Sequence, residues 1–285
     1  MRLANLDGRA TLLFARDAGG PVDRAVDVAK ASADQFGPDL PAVYDDWTAF
    51  TAFAAGVEAA TGEPFDEARL GSPVPEPRQV FAIGLNYRSH AEESGMAVPE
   101  VPATFTKFPA CLTGPWNDVV LSSGTVDWEV ELVAVVGVRA DRVAEADAWS
   151  HIAGLTVGQD ISDRTLQFAA GGQFSMGKSY RTFGPTGPWL VTPDELDDPD
   201  DLGLRCSIDG EVLQDARTSD LIFSVPQLVA ELSAVLPLLP GDVIFTGTPA
   251  GVGISRQPAR FLQAGEVLET TIEGIGTIRN RMVKP

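Results

Sequence analysis

The chain has 285 residues, of which 44% are hydrophobic, and this suits one large globular domain or a large domain with a small partner. Its 40 acidic and 21 basic residues give a formal net charge of −19, which repels nucleic-acid phosphates and anionic lipid surfaces. The composition therefore argues against nucleic-acid and membrane partners, and it is compatible with a local basic pocket for a small anion.

The cysteines and the N-terminal segment point to a reducing compartment. Cys111 and Cys206 are far apart and have no CxxC spacing, so neither a disulfide scaffold nor a zinc site is predicted. Asp7 interrupts the N-terminal segment before an apolar run develops, which is unlike a secretory signal. No window approaches the roughly 18 uninterrupted apolar residues of a membrane span. We therefore expect a soluble cytoplasmic protein.

A proline-rich break divides the chain into two predicted units. Residues 71–78, GSPVPEPR, contain three prolines, which disfavour both helix and central strand. This predicts a small N-terminal α+β domain at 1–72 and a larger domain at 73–285. In the small unit, Asp7-Gly8 predicts a hairpin, and residues 45–60 predict a helix that begins at Asp45 or Asp46.

The larger unit mixes many strands with few helices. A short apolar strand over 80–85 runs into a polar segment that favours a helix. Asp209-Gly210 predicts a hairpin, and Ser224 with Gln227 predicts a capping box for a helix over 224–235. An alternating pattern over 268–283 predicts strand. Together these elements predict an α+β fold with largely antiparallel sheets.

One predicted strand, VDWEVELVAVVG at 126–137, carries carboxylates among aliphatic residues. Because side chains alternate along a strand, Glu129 and Glu131 point to the same face, with Asp127 in phase behind them. Such a pair usually marks the solvated face of an antiparallel sheet. After Glu131, however, the strand becomes apolar on both faces, which indicates that it enters the core.

A third carboxylate completes a candidate metal site. If residues 160–167 are helical, Asp160, Arg164 and Gln167 lie on one face and could hold an anionic ligand. Glu129, Glu131 and Asp160 together would repel one another without a cation. Oxygen ligands without nearby Cys or His suit Mg²⁺, with Mn²⁺ or Ca²⁺ as alternatives.

Further candidates lie in three polar segments. On a helix, Glu93 could orient His90, three residues earlier, as a base toward water; His151 is interpreted as structural. Lys178 is either a solvated loop lysine or a partner for an oxyanion or carboxylate. The segment FTGTPAGVG at 245–253 lacks the nucleotide-binding patterns, but its amides and Thr248 could hold a carboxylate.

The order and spacing of these motifs resemble the fumarylacetoacetate hydrolase family over about residues 74–285. The resemblance rests on NYxxHxxE at 86–93, ExE at 129 and 131, QDIS-R at 159–164, GKS at 177–179 and TGTPxGVG at 246–253. It implies a mixed β-sandwich roll with flanking helices, preceded by a small variable N-terminal domain, and a typical homodimer. One departure is Thr165, which replaces the acid that follows the arginine in many relatives and leaves any pairing made by that acid in doubt.

The resemblance also implies roles for individual residues. It assigns the metal, usually Mg²⁺, to Glu129, Glu131 and Asp160, a water-activating dyad on a lid to His90 and Glu93, and substrate or oxyanion contacts to Arg164, Gln167, Lys178, Thr248 and Lys107.

The reaction expected from this site is metal-dependent hydrolysis of a C–C bond in a 2,4-diketo acid, with release of pyruvate. The substrate could be an acylpyruvate, a fumarylpyruvate or a 2,4-diketo-3-deoxy sugar acid. Oxaloacetate decarboxylation, isomerisation and dehydration of a 2-keto acid are alternatives on the same metal site. A non-catalytic, metal-stabilised binding protein is the alternative of another class, and the intact His90 and Glu93 argue against it.

Overall fold

The computed structural model describes residues 1–15, 20–169 and 171–285. The strands are β1 Arg2–Leu6, β2 Arg9–Ala15, β3 Val22–Asp27, β4 Leu70–Gly71, β5 Val80–Gly84, β6 Ala103–Thr106, β7 Leu112–Thr113, β8 Val119–Val120, β9 Val126–Asp127, β10 Val130–Val136, β11 Ile152–Gln159, β12 Ser162–Asp163, β13 Gly184–Val191, β14 Gly203–Ile208, β15 Glu211–Arg217, β16 Val243–Phe245, β17 Val267–Ile272 and β18 Gly276–Val283.

The helices are few and short. The α-helices are α1 Val28–Ala31, α2 Leu40–Asp45, α3 Trp47–Ala54, α4 Arg88–Ser94, α5 Arg164–Ala169 and α6 Val225–Val235. The 3₁₀ segments are Ala59–Thr61, Glu67–Arg69, Pro109–Cys111, Glu145–His151, Pro193–Glu195, Thr218–Asp220 and Gly253–Ser255. None of the helices within 1–15, 20–169 and 171–285 is long and apolar enough to span a membrane.

A mixed sheet of eleven strands forms the centre of the part of the chain that the structure describes. Nine strands follow in the order β3-β2-β1-β13-β11-β10-β16-β5-β6, while β4 pairs with β1 and β7 with β13. Only the β16–β5 and β13–β7 pairs of this sheet are parallel among the described strands. β10 and β11 are buried along their whole length, which is typical of strands that are covered on both faces.

A second sheet covers one face of the first. It has the order β15-β14-β17-β18-β8, and β9 pairs with β12 in a separate two-stranded sheet. Leu132 of β10 shares a hydrophobic core with Leu204 of β14 and Ile278 of β18, whereas Val133 of β10 belongs to a core on the opposite face. Alternate residues of β10 therefore reach two different cores, which explains why its sequence is apolar on both faces after Glu131.

The N-terminal residues pack on that opposite face. The hairpin predicted at Asp7-Gly8 joins β1 and β2, and β1 extends the large sheet by pairing with β13. The predicted helix begins after Asp46, whose side chain caps α3, and it ends at Ala54, earlier than predicted. The domain boundary at residues 72 and 73 falls between β4 and β5 and stays a prediction.

Most local predictions for the larger unit are confirmed. The hairpin at Asp209-Gly210 joins β14 to β15, and Ser224 and Gln227 form the capping box of α6. The single strand predicted over 126–137 is instead two segments, β9 and β10, interrupted at residues 128 and 129. The α+β class with mainly antiparallel pairing is as predicted.

The helix predicted to start at Asp160 is wrong. Ser162 and Asp163 continue in extended conformation because they pair with β9. The Asp163 side chain then accepts a hydrogen bond from the Leu166 amide, 3.1 Å away, so α5 begins only at Arg164. Asp160 and Arg164 therefore do not share a helical face; Asp160 instead contacts Lys178, and Arg164 contacts Glu129.

Candidate active site

Three buried carboxylates form the centre of the candidate site. Glu129 precedes β10, Glu131 lies within it, and Asp160 follows β11 directly. The antiparallel pairing of Val130 with Gln159 places these three positions side by side. One carboxylate oxygen from each lies within 4.8 Å of the others, and each residue is at most 5% exposed. The predicted set of metal-ligating residues is thus brought together.

The charges around this triad are unevenly balanced. Burial alone would raise the pKa of Glu129, but Lys178 and Arg164 outweigh burial and lower that pKa to about 2. The pKa of Glu131 lies well above its usual range because of burial and the charges of Asp160 and Glu129. Glu131 therefore carries an electrostatic penalty that a cation at the triad would relieve.

Two lysines contact the triad in different ways. Lys178 Nζ donates to Glu129 Oε2 at 2.7 Å and to Asp160 Oδ2 at 2.6 Å, and it lies 5.2 Å from the centre of the Phe105 ring. An ammonium has three N–H donors, so Lys178 keeps one for a ligand. Its pKa is raised, because Asp160 and Glu129 outweigh the opposing effect of burial.

Lys107 has no donor to spare. Its Nζ donates to Asp160 Oδ1 at 2.6 Å, to the Phe183 carbonyl at 3.1 Å and to the Lys178 carbonyl, and the residue is fully buried. All three N–H groups of the ammonium are therefore used within the protein. Lys107 holds one oxygen of the Asp160 carboxylate, while Lys178 contacts the other. The predicted contact of Lys107 with substrate remains a prediction.

Arg164 connects the triad to a fourth buried carboxylate. Its Nη1 lies 2.6 Å from Glu129 Oε1 and donates to Gln167 Oε1 at 2.9 Å, while its Nε donates to Asp127 Oδ2 at 2.8 Å. Its Nη2 lies 2.7 Å from the same Asp127 oxygen. Asp127 and Glu129 thus supply the carboxylate partners of Arg164, and Thr165 instead bonds to Thr125 through its hydroxyl group at 2.8 Å.

Asp127 is a site residue to which the sequence analysis gave no role. Besides Arg164, its carboxylate accepts hydrogen bonds from the backbone amides of Trp128, Gly253 and Ile254 at 2.7 to 3.0 Å. A side chain on Gly253 would bring its Cβ within 1.9 Å of the Arg260 carbonyl oxygen. The close approach therefore requires glycine, and Asp127 fixes the end of the TGTPAGVG segment to the guanidinium group.

The other end of that segment contacts the triad directly. Gly247, at a φ of +104°, donates its amide to Glu131 Oε2 at 2.8 Å; this region of φ strongly favours glycine. Thr248 Oγ accepts a hydrogen bond from the buried Gln214 amide at 2.8 Å. The Thr248 hydroxyl hydrogen is consequently directed away from Gln214 and can be donated to a ligand.

The predicted dyad lies on α4. His90 Nδ1 is 3.3 Å from Glu93 Oε2, and the two side chains are 14% and 23% exposed. Glu93 Oε1 accepts the Gly251 amide at 3.0 Å, so one carboxylate joins the helix to the TGTPAGVG segment. Burial alone would raise the pKa of Glu93, but the hydrogen bonds from His90 and Gly251 contribute to a net lowering of that pKa. If Nδ1 carries the proton toward Glu93, Nε2 is the free base.

A hard divalent cation fits the donor set of this site. Glu129, Glu131 and Asp160 offer only oxygen ligands, as Mg²⁺ and Mn²⁺ prefer, and burial together with the charges of Asp160 and Glu129 raises the pKa of Glu131, which a cation at the triad would lower. A bound cation would take the place of Lys178 as the principal countercharge of Glu129 and Asp160.

Comparison with known protein families identifies the family of this chain. Residues 79–283 match the family described as fumarylacetoacetate (FAA) hydrolase C-terminal. The chain therefore belongs to the fumarylacetoacetate hydrolase family, and its fold agrees with that of a solved enzyme of this family. The family resemblance inferred from the motifs is confirmed.

Three similar proteins illustrate the range of the family. The human protein named oxaloacetate tautomerase FAHD2A, mitochondrial, is 41% identical over 223 residues, which are 77% of this chain and 71% of that protein. A crystal structure of a candidate HpcE protein from Mycobacterium smegmatis has a TM-score of 0.93 at 51% identity and covers 100% of this chain and 99% of the other. Maleylpyruvate hydrolase from Sphingobium sp. SYK-6, in complex with manganese(II) ion and pyruvate, has a TM-score of 0.76 at 28% identity and covers 100% and 99%.

Proposed function

We propose that the protein hydrolyses a C–C bond in a 2,4-diketo acid and releases pyruvate. The observation that carries this proposal is the His90–Glu93 pair on α4, joined through Gly251 to the segment that also contacts Glu131. A base that is oriented by a carboxylate and held next to an acidic metal site is what hydrolysis by water requires. The pyruvate in the complex of the maleylpyruvate hydrolase relative is consistent with this product.

The proposed roles of the residues follow from their remaining hydrogen-bonding capacity. Glu129, Glu131 and Asp160 would hold a divalent cation, which supplies Lewis-acid polarisation of the substrate's carboxylate and 2-keto oxygens. Thr248 keeps a hydroxyl hydrogen that can be donated to the substrate carboxylate. Arg164 positions Glu129 and Gln167, and Lys107 positions Asp160.

The bond changes balance without any other reactant. His90 Nε2 takes a proton from water, and the water oxygen bonds to C4 of the diketo acid. The third N–H of Lys178 donates to the C4 oxygen as that oxygen gains charge. The C3–C4 bond then breaks, the electron pair stays on C3, and the proton returned by His90 to C3 gives pyruvate and a carboxylic acid.

Oxaloacetate tautomerisation is a second candidate, since the human relative that is 41% identical carries that name. Keto–enol exchange needs proton transfer at C3 and no attack by water, so His90 could perform it with the same triad. Decarboxylation and other isomerisations of 2-keto acids would share the enolate. The distinction depends on whether water reaches C4, which the positions of the carboxylates do not determine.

The remaining properties are proposed with the activity. We propose Mg²⁺ as the resident ion; the manganese(II) ion bound to the maleylpyruvate hydrolase relative keeps Mn²⁺ as the alternative, and the oxygen-only donor set keeps Ca²⁺. A homodimer and a cytoplasmic location are proposed as well, together with the division of the chain at residues 72 and 73.

One set of assays separates the candidates. The purified protein with Mg²⁺ is given acetylpyruvate, a 2,4-diketo-3-deoxy sugar acid and oxaloacetate, while pyruvate, CO₂ and the enol absorbance of oxaloacetate are measured separately. Hydrolysis predicts pyruvate from a diketo acid without CO₂. Enol exchange of oxaloacetate, with no pyruvate from any diketo acid, would replace hydrolysis by tautomerisation.

A further inference from the structure

Three phenyl rings form a cluster beside the candidate metal site, called here the aromatic cluster: Phe105, Phe168 and Phe174. The centroids of Phe105 and Phe174 are 5.7 Å apart, and those of Phe168 and Phe174 are 5.9 Å apart. Both pairs meet nearly edge to face, which is a favourable geometry for aromatic rings. Phe168 remains 53% exposed, so the cluster presents an apolar surface to a ligand.

The aromatic cluster is continuous with the groups that would hold the substrate. Lys178 Nζ, which contacts Glu129 and Asp160, lies 5.2 Å from the centre of the Phe105 ring. Phe168 immediately follows Gln167 on α5.

The aromatic cluster also reaches toward the strand that leads to the dyad. A Cβ on Gly84, at the end of β5, would lie 3.8 Å from the Phe174 ring, and α4 with His90 begins four residues later. The rings therefore lie between the elements that carry Lys178 and the strand that leads to the proposed base. Because Lys178 contacts both the triad and the Phe105 ring, the surface lies within reach of the far end of a substrate held at the triad.

The balance of buried charges at the site disfavours a second carboxylate on the substrate. Four buried carboxylates face three buried cations at the site, so these groups and a divalent cation would together carry one positive charge, enough for one substrate carboxylate. The partly exposed Glu93 adds a further negative charge. Within the residues that the structure describes, every buried cation of the site already contacts a carboxylate. A second carboxylate on the substrate would find no buried countercharge, and burying an unpaired charge is costly. The carboxylates are Asp127, Glu129, Glu131 and Asp160, and the cations are Lys107, Lys178 and Arg164.

We infer that the aromatic cluster binds the substituent of the substrate beyond C4 and selects an uncharged, apolar group. The substrate class is then an acylpyruvate with an alkyl or aryl tail, and neither a dicarboxylate nor a sugar acid. This inference rests on the proposed binding of a 2-keto acid at the triad and extends it to the tail. A second copy of the chain is the competing occupant of the exposed Phe168.

Two 2-keto acids of equal length test the inference without any turnover. Binding of 2-oxohexanoate, with an alkyl tail, and of 2-oxoadipate, whose tail ends in a carboxylate, is measured by calorimetry on the Mg²⁺-loaded protein. Burial of each methylene group favours binding by about fourfold. Because the cluster is only partly enclosed, we expect about tenfold tighter binding of 2-oxohexanoate.

Substitutions in the aromatic cluster test whether it causes the tighter binding of 2-oxohexanoate. Phe168→Ala and Phe174→Leu are expected to reduce it to about threefold or less, whereas the matched control Phe53→Leu, in the separate aromatic cluster with Phe36 and Phe50, leaves it unchanged. Equal affinity for the two acids, or tighter binding of 2-oxoadipate, overturns the inference. So does a Phe168→Ala variant that becomes a monomer by sedimentation and keeps the full preference, because the ring would then face a second copy.

The outcome is distinguishable from failure of the proposed function. If no diketo acid releases pyruvate but 2-oxohexanoate still binds more tightly than 2-oxoadipate, hydrolysis is wrong and the assignment of the apolar tail site stands. If pyruvate is released equally well from acylpyruvates and from diketo acids with a tail carboxylate, hydrolysis stands and the assignment is wrong.

Discussion

Replacing Lys107 by methionine separates a structural role from contact with substrate. The ammonium lies fully buried and donates to Asp160 and to two backbone carbonyls. Methionine keeps most of the volume but removes these hydrogen bonds, and it leaves Asp160 with Lys178 as its remaining cation. Removing one partner of a buried ion pair costs about 3 to 5 kcal/mol, because the other charge stays buried.

Calorimetric unfolding of the metal-free protein measures this loss. For a chain of this size, each kcal/mol shifts the unfolding temperature by about 2 °C, so Lys107→Met should unfold about 6 to 10 °C lower than the parent. Lys284→Met, at an exposed position, is the matched control and should stay within about 0.5 kcal/mol. A Lys107→Met protein that unfolds with the parent, but whose KM for a 2-keto acid rises at unchanged kcat, would refute the structural role and support direct contact with substrate.

Three further predictions test the rest of the site. His90→Ala should remain folded, bind metal and lose about 10² to 10⁴ in kcat. His151→Ala, whose imidazole Nδ1 lies 3.3 Å from the Val138 carbonyl and 3.0 Å from the Arg139 carbonyl, should keep its activity; full turnover by His90→Ala would contradict the proposed base. In the metal-free protein the folded-state pKa of Glu131 is raised, so its penalty is absent below the unfolded pKa and grows as pH rises through the range between the two values. Glu131→Gln should therefore unfold at a higher temperature than the parent near neutral pH without metal, and equal unfolding temperatures across pH 4 to 8 would argue against this penalty. Mg²⁺ at about 100 times its Kd should stabilise the parent by about 2.7 kcal/mol and Glu131→Gln far less; activity that survives EDTA would exclude the metal assignment.

The period of two along a predicted strand grouped Glu129 with Glu131. The two carboxylates do meet at the triad, although Glu129 lies in the interruption between β9 and β10. Asp160 was correctly grouped with them, but the helix drawn from Asp160 to Gln167 was wrong, since pairing with β9 keeps residues 162 and 163 extended. Periodicity within a segment does not reveal which distant strand will pair with it. The order of the motifs along the chain, and not the predicted helix, grouped Asp160 correctly with the two glutamates.

Contacts between distant segments could not be predicted either, because periodicity within one segment carries no information about them. Lys107 meets Asp160, Lys178 and Phe183, which are 53 to 76 residues away, and no local pattern encodes such a set. Gln214 has no distinguishing sequence signal, although it holds both the Val130 amide and the Thr248 hydroxyl. Asp127 had one available signal, its phase with the two glutamates, and its bonds to Gly253 and Arg164 show what that phase meant.

The two contacts of the Glu93 carboxylate couple the position of α4 to the position of the proposed base. One oxygen of its carboxylate faces His90, and the other holds the Gly251 amide. Any outward movement of α4 must break the bond to Gly251 and carry His90 away with the helix. His90 and Glu93 would move together because both lie on α4, so we expect the proposed base to stay beside the triad only while Glu93 holds the Gly251 amide. The position of α4 and the position of the proposed base would then depend on one carboxylate.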